Sequence, residues 1–170
     1  MLWTRTTHMK TFATKLEGAE FKIMRLQEGG PIGEKLDCPE KIAAFLRERL
    51  PGSLRYQPDT ENFIAVLLNT RRRPIGFEVI SNGTLDTLLV HPREVFKPAI
   101  VLAAAAIVLA HNHPSGDPSP GDADIKVTRD LIRAGQLIKI EVLDHVILGQ
   151  PDPNGNPRGW VSLRELGYFS

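Results

Sequence analysis

The sequence predicts an α/β protein, a mixed sheet covered by helices. Three observations carry this expectation. The stretches "ENFIAVLLN" at 61–69 and "AIVLAHNH" at 106–113 each contain a short apolar run, which reads as strands buried on both faces. From position 61 onward, strand-like and helix-like segments follow the order β-β-α-β-α-β. With 170 residues, 42% hydrophobic and 24% charged, the chain suits one domain with a sizeable core plus an appendage.

Each element has its own signal. Residues 1–18 read as a flexible tail. "MLWTRTTHMKTFATK" carries cations and no acid before Glu17, but lacks the continuous apolar core of a secretion signal, and Met9 is an alternative start. Residues 19–54 form an appendage of one strand and one helix. "EFKIMRLQE" alternates as a strand and "GGPIG" ends it. "DCPEKIAAFLRERLPG" is a helix with Asp37 as N-cap and Pro39 in its first turn. Its apolar stripe is Ile42, Phe45, Leu46 and Leu50, and Pro51-Gly52 closes it.

The main domain spans 55–170. "ENFIAVLLN" and "IGFEVIS" flank the turn "TRRRP" as a hairpin whose arginines form a solvated tip, and Asn82-Gly83 marks another turn. "TLDTLLV" is extended. In "HPREVFKPAIVLAAAA", Pro92 suits a helix start but Pro98 would break it, so a turn or kink over 92–96 precedes a regular helix from about Lys97. "DADIKVTRDLIRAG" is a helix with Ile125, Leu131 and Ile132 inward and Gly135 as its stop. "IKIEVLDHVILG" is the last strand, "QPDPNGNPRG" a loop and "VSLRELGYF" a terminal turn or short helix.

Bulk charge and cysteine use narrow the function classes. A net charge of +1 forces no nucleic-acid or anionic-membrane partner. The single cysteine, Cys38, allows no disulfide within the chain and favours a reducing cytoplasm. The longest apolar stretch, 99–110, is twelve residues, too short to span a bilayer.

Chemistry concentrates in "HNHPSGDPSPGDAD" at 111–124. On an extended strand His111 and His113 share one face while Asn112 points away. Their roots lie about 7 Å apart, so both imidazoles can converge on one ion. The loop between, stiff with proline and turned by glycine, can fold back to bring Asp117, Asp122 or Asp124 as a third ligand. Asp124 is favoured because it begins a helix. Two imidazoles and a carboxylate suit Zn2+ and leave a fourth position for water. Such a water attacks a carbonyl if a carboxylate takes its proton, and Glu61, Glu78 and Glu94 are the upstream candidates. A lone HxH pair more often caps a strand and bonds loop backbone. The helix-anchored aspartate and the tight loop tip the balance toward metal.

"HNHPSGDP" resembles the signature of the RadC family of JAB/JAMM (MPN+) domain proteins. "ENFIAVLLNT", "SNGTL", "VHPREVF", "LDHVILG" and "SLRELG" follow the same family's style and order over roughly 55–170. The resemblance implies a three-layer α/β/α-type mixed sheet of the JAB/JAMM (cytidine-deaminase-like) fold. It implies zinc on His111, His113 and Asp124, and Glu61 as proton acceptor from the zinc water and donor to the leaving amine. Glu78 then reads as a strand-end ion pair and Glu94 as a helix-start acid. The family's serine falls at Gly121, and losing one oxyanion donor costs roughly 10²–10³ in rate. Ser119 is a substitute, or else an N-cap with Pro120 at the first helical position. "PSG" at 114–116, with Ser115, either positions Asp117 behind the site or simply forms the loop. His145 reads as a satisfied core histidine, with a contact to the site as the alternative; His91 caps a turn.

Three functions compete. The first is a zinc-dependent metallopeptidase or isopeptidase acting on a peptide or isopeptide bond. The second is a catalytically weak metal-binding scaffold, blunted by Gly121. The third is a DNA-associated repair or mobile-element accessory protein, for which no basic stripe or helix-hairpin-helix pattern is visible. The string "HNH" is not the dispersed triad of HNH nucleases.

Overall fold

The computed structural model of the chain describes residues 8–17, 20–31, 34–83 and 90–169. Strands β1 (His8–Glu17) and β2 (Glu20–Pro31) pair antiparallel as a two-stranded sheet. Residues 8–17 are therefore strand rather than the expected tail. β2 runs through Gly29-Gly30 to Pro31, beyond the stop expected there. The extended segment expected over 84–90 lies outside the described residues except for Val90, which is buried.

Among the described residues the main sheet has five strands: β3 (Asn62–Leu68), β4 (Pro74–Asn82), β5 (Ala106–Asn112), β6 (Glu141–Leu148) and β7 (Trp160–Ser162). Their order is β4-β3-β5-β6-β7. The β5–β6 pair is parallel and the other neighbours are antiparallel, so the sheet is mixed as expected. β3 and β4 form the hairpin, with Arg72 at φ 58 in its exposed tip and the Asn69 side chain accepting from the Arg71 and Arg73 backbones. β7 occupies part of the segment expected as turn or helix; turns follow it.

Alternation along the buried strands builds a core on each face. Ile64, Val66 and Leu68 join Val108, Ala110, Val146 and Leu148 on one face, under Ile42, Phe45 and Leu46 of α1 (Pro39–Arg49). Phe63, Ala65 and Leu67 join Ile107 and Leu109 on the other. They lie under Val95, Phe96 and Ala99 of α2 (Pro92–Val101) and Val127 and Leu131 of α3 (Asp122–Ile138). The result is three layers, helix, sheet and helices. The sequence set α1 apart in an appendage ending at 54. Here it supplies one whole layer, because its apolar stripe has the sheet face to cover.

Several local expectations change. The N-cap of α1 is Cys38, and Asp37 pairs with Lys35 and Lys41 at 3.4 and 2.9 Å. α2 begins at Pro92 and carries Pro98 inside it, ending at Val101 before the alanines. α3 continues past Gly135 to Ile138 and ends on Lys139 in the left-handed region (φ 60). Gly135 marks close packing rather than a stop: a Cβ there would run into the Ile140 carbonyl and press on Phe96 and Val142. Among the described residues, no helix is long and apolar enough to cross a membrane.

Candidate metal centre

β3 and β5 run antiparallel with Phe63 opposite His111, their rings stacked at 6.3 Å and 16°. Continuing that register sets Glu61 opposite His113. The pleat then places Glu61, Phe63, His111 and His113 on one face, the face covered by α3. His111 is fully buried and His113 half-buried.

The loop after His113 returns compactly. Its first turn closes from the Gly116 N–H to the His113 carbonyl at 3.0 Å, with Gly116 at φ 88. The loop is tied to the end of β6 by the His113 N–H on the Leu148 carbonyl and the Gln150 N–H on the Gly116 carbonyl, both 2.8 Å. His113 Nδ1 donates to the Asp117 carbonyl at 2.7 Å. A carbonyl only accepts, so Nδ1 carries a proton, and in the neutral ring Nε2 is the nitrogen left with a lone pair toward the site.

Asp117 thus acts through its backbone. Its carboxylate accepts from the Ser119 N–H and hydroxyl at 2.9 and 2.7 Å, and its own N–H reaches the Ser115 hydroxyl at 3.4 Å. Those three side chains are used inside the loop. The N-cap alternative for Ser119 does not hold, because the helix N-cap is Gly121 with Asp122 the first helical residue; the Ser119 hydroxyl donates to Asp117. Asp124 at the third helical position accepts from the Gly121 N–H at 2.8 Å, one half of a capping box.

These elements bring three donors together. His111 Nε2 lies 3.0 Å from His113 Nε2 and 3.3 Å from Asp124 Oδ1, and His113 Nε2 lies 3.7 Å from Asp124 Oδ2. One ligand atom from each falls within 4.8 Å of the others, so the cluster could hold a metal ion. Asp117 and Asp122, the other candidates for third ligand, are not part of it.

Electrostatics follow the geometry. Burial pushes the His111 imidazole down against the pull of Asp124, whereas the Asp124 carboxylate facing it raises His113 despite partial burial. Burial opposes ionisation of Asp124, but His111, His113 and the Gly121 N–H outweigh it and hold the carboxyl well below the carboxylate range. The Glu61 charge adds a smaller pull toward protonation of both histidines.

Glu61 is fixed by its neighbours. Its carbonyl accepts from the Gly83 N–H at 2.8 Å. On one side the Thr60 carbonyl accepts from Asn62 Nδ2 and Asn112 Nδ2 at 2.7 and 2.9 Å. On the other the Asn62 N–H donates to Asn112 Oδ1 at 3.0 Å. The Asn62 and Asn112 amides are both buried. The middle residue of "HNH" therefore locks the start of β3, and Asn82 Nδ2 joins through Asn62 Oδ1 at 2.6 Å. Sequence reading had Asn112 only as pointing away. Its signal was an amide at a position that the strand buries.

Two more buried polar groups stand behind His111. His145 Nε2 meets His111 Nδ1 at 2.8 Å, and Thr128 Oγ1 meets His145 Nδ1 at 2.6 Å. His145 is thus a satisfied core histidine, as expected, and its partner is the site histidine named in the alternative. Thr128 was missed; it lies one helical turn after Asp124, on the same face of α3.

Glu78 and Glu94 lie away from the cluster, as their structural readings implied. Glu78 pairs with Arg55 at 2.6 Å, and Glu94, in the first turn of α2, with Arg93 at 3.5 Å. His91 is the N-cap residue of α2. A cleft of about 480 Å³, with Leu46, Leu50, Tyr56 and Leu148 in its walls, reaches His113 and Pro114 from the α1 side.

A family model described as RadC-like JAB domain matches residues 36–168. The chain is 47% identical over 131 residues to a UPF0758 protein of Caldanaerobacter subterraneus, covering 77% of this chain and 51% of that one. It is 51% identical over 132 residues to one of Symbiobacterium thermophilum, covering 78% and 51%. A UPF0758 protein of Moorella thermoacetica is 44% identical over 149 residues, covering 81% and 65%. The chain thus spans between half and two thirds of the length of these relatives. With its mixed sheet between helical layers and its His-His-Asp cluster, the chain belongs to the RadC-like JAB domain family.

Proposed function

We propose that this chain is a zinc-dependent hydrolase of the JAMM type that cleaves a peptide or isopeptide bond, with Glu61 as general base. The observation that carries the reading is the convergence of His111 Nε2, His113 Nε2 and the Asp124 carboxylate. The Asp117 carbonyl accepts from His113 Nδ1, so the inward nitrogen of the neutral ring has a lone pair to give. Two nitrogens and one oxygen are a donor set for zinc that leaves a coordination position open.

A zinc ion held there supplies Lewis acidity, drawing the pKa of a water toward neutrality and polarising the substrate carbonyl. The chain's own groups do the rest. Glu61, across from His113, accepts the proton of the attacking water and delivers it to the departing amine. The clamp of Asn62 and Asn112 on its flanking peptides holds that carboxylate in register.

About one zinc per chain is expected in protein purified without chelator, together with cleavage of peptide or isopeptide-linked lysine substrates that is lost on chelation and restored by zinc. A chain that carries no metal after such purification overturns the reading.

Position 121 limits the rate in this scheme. Glycine offers no hydroxyl, and its N–H is committed to Asp124. Its backbone (φ −85, ψ 168) accepts any residue, and an added Cβ meets Asp124 Oδ2 at an ordinary 3.6 Å. Gly121→Ser is therefore expected to fold normally and raise turnover, by up to about 10²-fold if the new hydroxyl reaches the oxyanion. An active enzyme whose turnover is unchanged by this substitution would show that the hydroxyl is not limiting.

A further inference from the structure

We propose that Thr128 and His145 form a one-way hydrogen-bond chain that sets the tautomer of His111 and so makes its inward nitrogen a metal ligand. Both are positioning residues, completely buried behind the site on α3 and β6.

The direction of the chain follows from which atoms can donate. Thr128 Oγ1 lies 2.6 Å from the backbone carbonyl of Asp124. A carbonyl oxygen only accepts, so at that distance the hydroxyl hydrogen must lie between them. With its hydrogen spent, Thr128 Oγ1 can only accept from His145 Nδ1, at 2.6 Å. Nδ1 of His145 therefore carries the proton. His145 is fully buried, and among the described residues its ring nitrogens meet only a hydroxyl and another imidazole. With no carboxylate bonded to the ring to offset a buried charge, the ring is neutral and its Nε2 has a lone pair and no hydrogen. His111 Nδ1, 2.8 Å away, must then be the donor. The remaining nitrogen of His111, Nε2, is left with a lone pair 3.3 Å from Asp124 Oδ1.

The chain starts on the backbone of Asp124 and ends on His111, so it joins two of the three donors. His113 is set separately, by the Asp117 carbonyl. Without the threonine hydroxyl, nothing holds the His145 proton on Nδ1. It can move to Nε2 and face His111 Nδ1, which drives the His111 proton onto the nitrogen that should bind metal. Groups behind a metal-ligating histidine commonly change metal affinity by about 10–100-fold.

Thr128→Val tests this, because it removes the hydroxyl while keeping the shape. The first readout is 15N NMR of the histidine rings in the chelator-treated 170-residue chain at one fixed pH. The wild type and Thr128→Ser should show His111 protonated on Nδ1, and Thr128→Val should shift it toward Nε2. The second is zinc affinity by competition with a chromophoric chelator, expected to weaken about 10–100-fold in Thr128→Val and to stay near wild type in Thr128→Ser. An unchanged tautomer with unchanged affinity overturns the proposal.

A second pair covers the case in which the valine variant fails to fold. In His145→Gln the amide oxygen can still accept from His111 Nδ1, so it should hold zinc more tightly than His145→Leu; equal affinities overturn the proposal. The affinity readout rests on the zinc reading above. The tautomer readout does not, so a wild type that binds no zinc sinks that reading while the NMR result still decides this one.

Discussion

Replacing His113 with alanine is expected to take the zinc content from about one per chain to near zero while leaving the fold intact. Three protein donors hold a catalytic-type site, and two seldom suffice. His113 is the cleanest donor to remove. It is half-buried, and outside the cluster its ring has one hydrogen bond, to the Asp117 carbonyl, worth about 1 kcal/mol. His111→Ala would instead open a hole in the α3-facing core and orphan His145, confusing metal loss with unfolding. Elemental analysis beside a thermal melt separates these effects. Retention of stoichiometric zinc by a folded His113→Ala protein would remove this histidine from the ligand set.

The second large effect concerns Glu61. Glu61→Gln keeps size and removes the carboxylate's basicity, so amide hydrolysis should fall by about 10²–10⁴-fold with zinc still bound. Its backbone should not shift, because the Asn62–Asn112 amides clamp the peptides on either side. Turnover and metal content measured on the same sample decide the matter. A variant that hydrolyses at the wild-type rate would place the general base elsewhere.

Much of this architecture was legible in the sequence because burial writes composition directly. The apolar runs at 62–68 and 106–112 read as two-sided strands, since a strand between two helical layers has no solvent face on which to carry polar residues. His111 and His113 were legible for the same reason: period two puts them on one side. What stayed hidden depended on partners distant in sequence. Asn112, Asn62 and Thr128 look like ordinary polar residues until the fold puts β3 beside β5 and α3 over β6. Helix ends misled in another way. Gly135 reads as a stop by local chemistry, but α3 uses it to approach Ile140 and Phe96, and tertiary packing outweighs the cost of glycine in a helix interior. Pro98 likewise sits inside a continuous α2, which buries Val95, Phe96 and Ala99 against the sheet.

The two kinds of support in the donor set have a consequence for how such a site can diversify. His111 and His113 ride on one strand with a single residue between them, so their separation is fixed by the pleat and cannot be tuned. Asp124 is delivered by the return loop and the first turn of α3, held to the strand end by contacts from Gly116 and Gln150. Lengthening or shortening that loop would move one donor and leave the other two in place. The strand serves as a rigid ruler and the loop as an adjustable arm, so ion size and coordination number can be retuned by insertions in a short exposed segment, without touching the hydrophobic interior.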